Sequence, residues 1–183
     1  EHPHILVVSD EIYEHINFKS AHASMAGIPG MYERTVTVNG VSKAFAMTGW
    51  RIGYAAGPRE LIGAMSTVQS QSTSNACSIS QAAATAALQG DQDVVARMVA
   101  EYRQRHDFVV SALNAIPGIE CRPGEGTFYA LPRVEGVIDQ LDLADDVMLS
   151  EHLIDRVGLA VVPGTAFGAP GYIRLSFACS MET

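Results

Sequence analysis

The stretch Asn39-Gly-Val-Ser-Lys-Ala-Phe-Ala-Met-Thr-Gly-Trp-Arg-Ile-Gly-Tyr-Ala-Ala-Gly57 decides how the rest of the chain is interpreted. It places Lys43, Ser42 and Arg51 between two β-like segments. A lone lysine at a strand end is ordinarily a solvent-exposed charge. A partly desolvated lysine, however, loses its proton readily and forms a Schiff base with an aldehyde. Because a neighbouring hydroxyl and guanidinium are able to bind a phosphate, the stretch is a candidate site for a phosphorylated aldehyde.

Composition restricts the class of protein. The chain has 183 residues, of which 48% are hydrophobic and 17% charged, so we expect a compact globular fold. The formal net charge of −8 disfavours a nucleic-acid partner, and no apolar run approaches the length of a membrane span. Three widely spaced cysteines, an odd number, fit reduced thiols and predict a cytoplasmic location.

The order of elements predicts an α/β fold. Strands are expected at residues 4–9, 35–39 and 51–56, the first of them buried on both faces, and shorter strands at 119–122, 127–131, 159–162 and 172–177. Helices are expected at 58–70, 78–89, 91–115 and 143–157, with Gly90, Pro117 and Gly158 as stop signals.

We expect two domains joined by one long helix. Residues 1–90 form the end of a larger α/β domain, 91–115 the connecting helix, and 116–183 a smaller α+β domain that is incomplete. The chain enters a buried-type strand almost at once and stops directly after another strand. Because buried parallel strands need cover on both faces, we expect the chain to be part of a longer protein.

Asp10 and Tyr13 are the expected partners of Lys43. They follow the first strand, and ligands of parallel α/β sheets gather at the carboxyl ends of the strands. An acidic residue after a strand is often only a helix cap. A pyridoxal cofactor, however, requires a lysine for its aldehyde, a carboxylate against its ring nitrogen and a donor to its phenolic oxygen. Lys43, Asp10 and Tyr13 match these three requirements.

Arg174 is the candidate for binding a substrate carboxylate. It lies in the last predicted strand, Ile173-Arg-Leu-Ser176, where alternate positions are apolar. A partly buried guanidinium there fits a planar anion such as the α-carboxylate of an amino acid. A structural ion pair with one of the chain's 20 acidic residues is the alternative.

Four motifs in this order resemble the C-terminal half of the class I/II aminotransferases, which are dependent on pyridoxal 5'-phosphate and include aspartate aminotransferase. They are Ser9-Asp-Glu-Ile-Tyr13, Ser42-Lys43 with Met47-Thr-Gly-Trp-Arg-Ile-Gly53, Gly124-Glu-Gly-Thr-Phe-Tyr129, and Ile173-Arg-Leu-Ser176. The resemblance covers essentially the whole chain. It implies a partial fold type I: the end of the large-domain sheet plus a small α+β C-terminal domain.

The resemblance also implies a role for each residue. Lys43 is expected to form the Schiff base and shuttle the proton, with Asp10 on the pyridine nitrogen and Tyr13 on the phenolic oxygen. Ser42 and Arg51 are expected to bind the phosphate, and Arg174 the α-carboxylate of the substrate. No metal site is expected, since the alternating His2 and His4 lack a completing ligand.

The implied reaction is a two-step transamination between an amino acid and a 2-oxo acid, with a homodimer as the working unit. Two alternatives stay open at this point. A lyase of the same fold would use the same lysine, and a chain without the N-terminal half of the site would be folded but inactive.

Overall fold

The chain folds into two compact units, Glu1–Arg97 and Met98–Thr183, each with its own three-stranded sheet. The structure is a computed structural model and describes residue 2 and residues 4–181. The strands are β1 (Val7–Asp10), β2 (Thr35–Gly40), β3 (Gly53–Ala56), β4 (Tyr129–Ala130), β5 (Val162–Pro163) and β6 (Ile173–Ser176). The α-helices are α1 (Arg59–Ser72), α2 (Ser78–Gln89), α3 (Asp93–Asn114), α4 (Glu135–Gln140) and α5 (Asp146–Val157).

In the first unit, the sheet has the order β1-β2-β3. Strands β1 and β2 are parallel, with Asp10 opposite Val38, and β3 returns antiparallel to β2. The parallel pair brings the residues that follow β1 and β2 to the same edge of the sheet. This edge carries three of the candidate site residues.

Close backbone approach explains a glycine at the end of β2. Gly40 is paired with Gly53 of β3. A methyl group at Gly40 would lie 3.0 Å from the carbonyl oxygen of Ile52 and 3.2 Å from the Cα of Gly53, which is tighter than an ordinary van der Waals contact. The absence of a side chain therefore lets β3 begin directly beside the segment that carries Lys43.

In the second unit, β6 lies between β4 and β5 and is antiparallel to both. Helices α4 and α5 contribute Ile138 and Leu149 to the apolar core. Val134, Ile138, Leu149 and Ile173 are buried, and Val161 and Leu153 pack against them. The central position of β6 fixes Arg174, which is paired in register with Val162.

Helix boundaries follow from local signals. Helix α5 begins after Asp145, whose carboxylate accepts the Met148 amide at 2.8 Å, and ends at Gly158 in the left-handed conformation. The boundary between the two units falls within α3. None of the helices in the described part of the chain is long and apolar enough to cross a bilayer.

Several expected elements differ from those observed. The expected strand at 4–9 begins only at Val7, and it is not buried on both faces, because Val8 is 73% exposed. The described residues provide no layer over that face of β1, and parallel strands are buried only where both faces are covered. The strands expected at 127–131 and 159–162 shrink to two-residue ladders, and that expected at 119–122 to a single bridge at Glu120. Helix α4 was not predicted from the sequence.

Candidate functional site

Lys43 and Tyr13 lie together at the carboxyl edge of β1 and β2. The Nζ atom of Lys43 is 5.8 Å from the centroid of the Tyr13 ring, and both residues are half-buried. Lys43 is flanked by Val41 and Ala44, which are 0% and 2% exposed. These two buried neighbours anchor the turn after β2, so the amine is held near the sheet edge on a short, fixed segment.

Asp10 is the last residue of β1 and is exposed at the same edge. Its Oδ1 atom accepts the Ile12 amide at 3.2 Å, which turns the chain sharply after the strand. The exposed carboxylate therefore stands at the carboxyl end of β1, and Lys43 follows the carboxyl end of the neighbouring strand. The parallel pairing of β1 and β2 brings these positions, far apart in sequence, to one edge.

Ser42 and Arg51 lie at the same end of the β2–β3 pair. Ser42 follows the end of β2 at Gly40, and Arg51 precedes the start of β3 at Gly53, the residue paired with Gly40. Arg51 has left-handed backbone angles (φ 52°, ψ 49°), and its Nη1 donates to the carbonyl of Thr48 at 2.8 Å. This conformation is unusual for a residue with a side chain and is a feature of many functional sites.

A buried carboxylate supports the turn that carries Asp10 and Tyr13. Glu11 is 4% exposed, and it accepts hydrogen bonds from the hydroxyls of Ser9 and Ser24, the Met25 amide and His22. Burial raises the pKa of Glu11, but the hydrogen bonds from His22, Ser24, Ser9 and Met25 outweigh it and leave the pKa below its ordinary value. Glu11 therefore stays ionised and ties the turn after β1 to residues 22–25.

Glu11, Glu14 and His22 present oxygen and nitrogen atoms within 4.8 Å of one another, as a metal site would. The oxygens of Glu11 already accept several protein donors, and Glu14 accepts the Asn39 side-chain amide at 2.7 Å. The cluster is therefore explained as a hydrogen-bonded structural network that links the turn after β1 to the end of β2.

The second unit contains a cleft of about 800 Å³ around Arg174. The guanidinium carbon of Arg174 is 4.4 Å from the centroid of the Phe167 ring and 4.6 Å from that of Tyr129. Both distances are typical of cation–π contacts. Arg174 is half-buried, as its place in the central strand predicts, and it lines the cleft with its two aromatic neighbours.

His106 lines the same cleft from α3 and is 4% exposed. Its Nε2 accepts the Gly124 amide at 3.0 Å, and its Nδ1 lies 2.9 Å from Oδ1 of Asp107. Because the amide is a donor, Nε2 must be unprotonated and the proton lies on Nδ1. Sequence reasoning missed His106, since a single histidine in a helix has no local pattern that reveals a partner 18 residues away.

The chemistry of the first unit fits a phosphorylated pyridine aldehyde. One edge presents an amine, a phenol and a carboxylate, and the adjoining strand end presents a hydroxyl and a guanidinium. An amine is a nucleophile toward an aldehyde, a carboxylate is a partner for a protonated ring nitrogen, and a hydroxyl and a guanidinium are donors to a phosphate. The structure thus gathers Asp10, Tyr13 and Lys43, while Arg174 lies in the other compact unit.

Comparison with known proteins gives the family. The sequence profile of "Aminotransferase class I and II" matches residues 1–183. The aspartate/prephenate aminotransferase of Nitrosomonas europaea is 45% identical over all of this chain and 48% of its own length. The bifunctional aspartate aminotransferase and glutamate/aspartate-prephenate aminotransferase of Petunia hybrida is 47% identical, again over the whole chain but only 40% of its own length.

Solved structures of aminotransferases also match this chain. The aspartate aminotransferase of Rhizobium meliloti superposes with a TM-score of 0.91 at 46% identity, over 99% of this chain and 47% of that protein. The aromatic aminotransferase of Pyrococcus horikoshii gives 0.89 at 38% identity, over 97% and 47%. The chain thus spans about half the length of the relatives it matches. The predicted fold class, a partial fold type I, is confirmed, and the chain belongs to the class I and II aminotransferase family.

Proposed function

We propose that this chain supplies the lysine-bearing part of a pyridoxal-phosphate-dependent aminotransferase acting on an amino acid and a 2-oxo acid. The observation that carries the proposal is the gathering of Lys43, Tyr13 and Asp10 at one sheet edge, with Lys43 Nζ 5.8 Å from the Tyr13 ring. Family membership and the names of the relatives support the same reaction class.

Pyridoxal 5'-phosphate, when bound, supplies an aldehyde that condenses with amines and a protonated ring that withdraws electrons from the substrate. Lys43 would hold the cofactor through Nζ. When free, the same Nζ would act as the general base that takes the Cα proton of the substrate. The buried residues on either side of Lys43 anchor the backbone from which this amine extends.

The other residues bind and orient. The Asp10 carboxylate stabilises the proton on the pyridine nitrogen by its opposite charge, and the Tyr13 hydroxyl donates to the phenolic oxygen. Ser42 and Arg51 bind the phosphate, where a hydroxyl donor and a planar guanidinium complement its oxygens. Arg174 binds the substrate α-carboxylate through its guanidinium.

The chain contains two lysines, which gives a matched control. In the full-length protein, pyridoxal phosphate should give an absorbance band near the visible edge, and borohydride should fix the cofactor to the peptide that contains Lys43. Lys43→Ala should abolish both signals, whereas Lys19→Ala, a change at an exposed lysine, should keep them. Labelling that persists in Lys43→Ala refutes the assignment.

Product analysis separates transamination from cleavage by a lyase. With aspartate as the donor, suggested by the names of the relatives, a single turnover should yield the 2-oxo acid and the aminated cofactor. Release of ammonia with a cleaved side chain would instead identify a lyase. Stoichiometric binding of the cofactor to the 183-residue chain alone would exclude the alternative of an inactive fragment.

We also infer that the full-length protein is a homodimer in the cytoplasm. The resemblance to the class I/II family supports the dimer, and the three unpaired thiols support a reducing compartment. Sedimentation of the full-length protein tests the first inference and cell fractionation the second. A monomer that is fully active, or a secreted protein, would contradict them.

A further inference from the structure

Two aromatic rings contact the guanidinium of Arg174, one from β4 and one from the 3₁₀ helix that follows β5. Tyr129 belongs to β4, and Phe167 follows β5. Their centroids lie 4.6 and 4.4 Å from the guanidinium carbon. A guanidinium packed against rings loses rotational freedom and keeps its N–H groups for a planar anion. The positions of the rings therefore control the direction in which Arg174 presents its donors.

Phe167 has little packing of its own, since 52% of its side chain is exposed. It is the last residue of a short 3₁₀ helix, Gly164–Phe167, so the position of the ring depends on how that helix is held. The Gly164 amide donates to the carbonyl of Tyr172 at 2.7 Å, which attaches one end of the helix to the start of β6.

A buried carboxylate holds the rest of this 3₁₀ helix. Asp146, at the first turn of α5, is 1% exposed. Its Oδ2 accepts the Thr165 amide and its Oδ1 the Thr165 hydroxyl, both at 2.7 Å, and Oδ1 lies 3.5 Å from the Gly171 amide. Both oxygens are thus used by the segment 164–171, which carries Phe167 and leads into β6.

The charge of Asp146 strengthens this attachment. Burial raises the pKa of Asp146, yet the hydrogen bonds from the amide and hydroxyl of Thr165 outweigh it, and the pKa lies below its ordinary value. Hydrogen bonds to an ionised carboxylate are shorter and stronger than those between neutral groups. Helix α5 packs in the apolar core through Leu149, so the carboxylate rests on a rigid element.

We propose that Asp146 and Thr165 are positioning residues for carboxylate recognition: through Phe167 they hold the guanidinium of Arg174 in the orientation that binds the substrate. The proposal rests on the function proposed for Arg174. It adds two residues that lie outside the sequence motifs, Asp146 on α5 and Thr165 in the 3₁₀ helix.

The test uses the full-length, cofactor-loaded protein and the dissociation constant of succinate, a dicarboxylate without an amino group, measured by titration calorimetry. Thr165→Val removes the hydroxyl bond and should weaken succinate binding about three- to tenfold. In steady-state kinetics with the amino acid varied, KM should rise and kcat should stay within about twofold, since Thr165 is proposed to act on binding through Arg174 and not on the reacting atoms.

Three variants separate positioning from general damage. Thr165→Ser restores the hydroxyl and should bind succinate within about twofold of the wild type. Ser150→Ala is the matched control, because its hydroxyl bonds the main-chain carbonyl of Asp146 at 2.8 Å and not the 3₁₀ helix, so binding should be unchanged. In a Phe167→Leu background, Thr165→Val should add less than about a twofold effect, since the ring through which it acts is gone.

Each result decides the proposal. Normal succinate binding by Thr165→Val, or full additivity of Thr165→Val and Phe167→Leu, overturns the positioning role. Arg174→Leu separates this from failure of the proposed function. If Arg174→Leu abolishes succinate binding while Thr165→Val leaves it intact, only the positioning role is wrong. If Arg174→Leu binds succinate normally, the assignment of Arg174 fails and the positioning role fails with it.

Discussion

Replacing Glu11 by glutamine should destabilise the first unit and make its stability less sensitive to acid. Glutamine keeps the shape and one acceptor oxygen, but it removes the charge. Oε1 of Glu11 accepts Ser9 Oγ at 3.0 Å, Ser24 Oγ at 2.9 Å and the Met25 amide at 3.2 Å, and Oε2 lies 2.9 Å from His22 Nε2. All four contacts are made to a side chain that is 4% exposed.

The magnitude follows from these bonds. A hydrogen bond to a charged group contributes roughly 1.5–3 kcal/mol, against about 0.5–1.5 kcal/mol for a neutral pair. Each of the three hydrogen bonds to Oε1 would contribute about 1 kcal/mol less to stability. Burying a neutral amide costs less than burying a carboxylate, which offsets part of this loss. We expect Glu11→Gln to lower the free energy of unfolding by about 2 kcal/mol at neutral pH.

The pH dependence provides a second, sharper check. The pKa of Glu11 in the folded state lies below the ordinary value for a glutamate. The ionised group therefore stabilises the folded state above that value, and the contribution is lost as the pH falls through the folded-state pKa. The difference in unfolding free energy between wild type and Glu11→Gln should therefore be largest at neutral pH and should shrink as the pH falls.

Urea unfolding followed by the fluorescence of Trp50, the chain's one tryptophan, measures both effects, because Trp50 lies in the same unit as Glu11. Glu33→Gln, at an exposed glutamate, is the control and should change the unfolding free energy by less than about 0.5 kcal/mol. A Glu11→Gln effect as small as that of the control, or one that is constant from neutral to acid pH, would refute the reasoning.

The remaining predictions concern the second unit and are measured by urea unfolding followed by circular dichroism. Leu149→Ala, at a core residue 1% exposed, should cost about 2–5 kcal/mol, and a cost below that of Val147→Ala, at an exposed position, would contradict the core assignment. Gly164→Ala should cost about 3 kcal/mol, because a methyl group there would overlap backbone carbonyl oxygens, and unchanged stability would contradict this packing. His106→Leu should cost about 1–3 kcal/mol by leaving the buried Gly124 amide without its acceptor, whereas His106→Gln, which keeps an acceptor, should cost less; equal costs would argue against the bond.

Local signals predicted the long helices well. Observed α1, α2 and α5 lie within about three residues of the predicted ranges, because proline, aspartate and glycine act on the few residues next to them. Short strands were predicted poorly. Strands β4 and β5 have two residues each, and such ladders depend on pairing with β6 rather than on their own composition.

For the candidate site, sequence reasoning found the residues but not what holds them. Asp10, Tyr13 and Lys43 were predicted to meet because residues that follow parallel strands share one sheet edge. Glu11 lies within the same motif, yet its partners at residues 22–25 are brought to it only by the fold. In the second unit, Asp146 resembles an ordinary acidic residue in the first turn of a helix.

What the sequence by itself determined is the family and a set of candidate site residues, namely a lysine, a carboxylate, a phenol and two arginines, together with the helices that carry capping signals. What only the tertiary structure decided is the support of these groups. The Phe167 and Tyr129 rings against Arg174, the Asp146 bonds to Thr165, and the His106 bond to Gly124 join residues that belong to different secondary-structure elements or loops. Side-chain identity depends on chemistry that a motif preserves, whereas such contacts depend on packing and strand register, which exist only once the chain has folded.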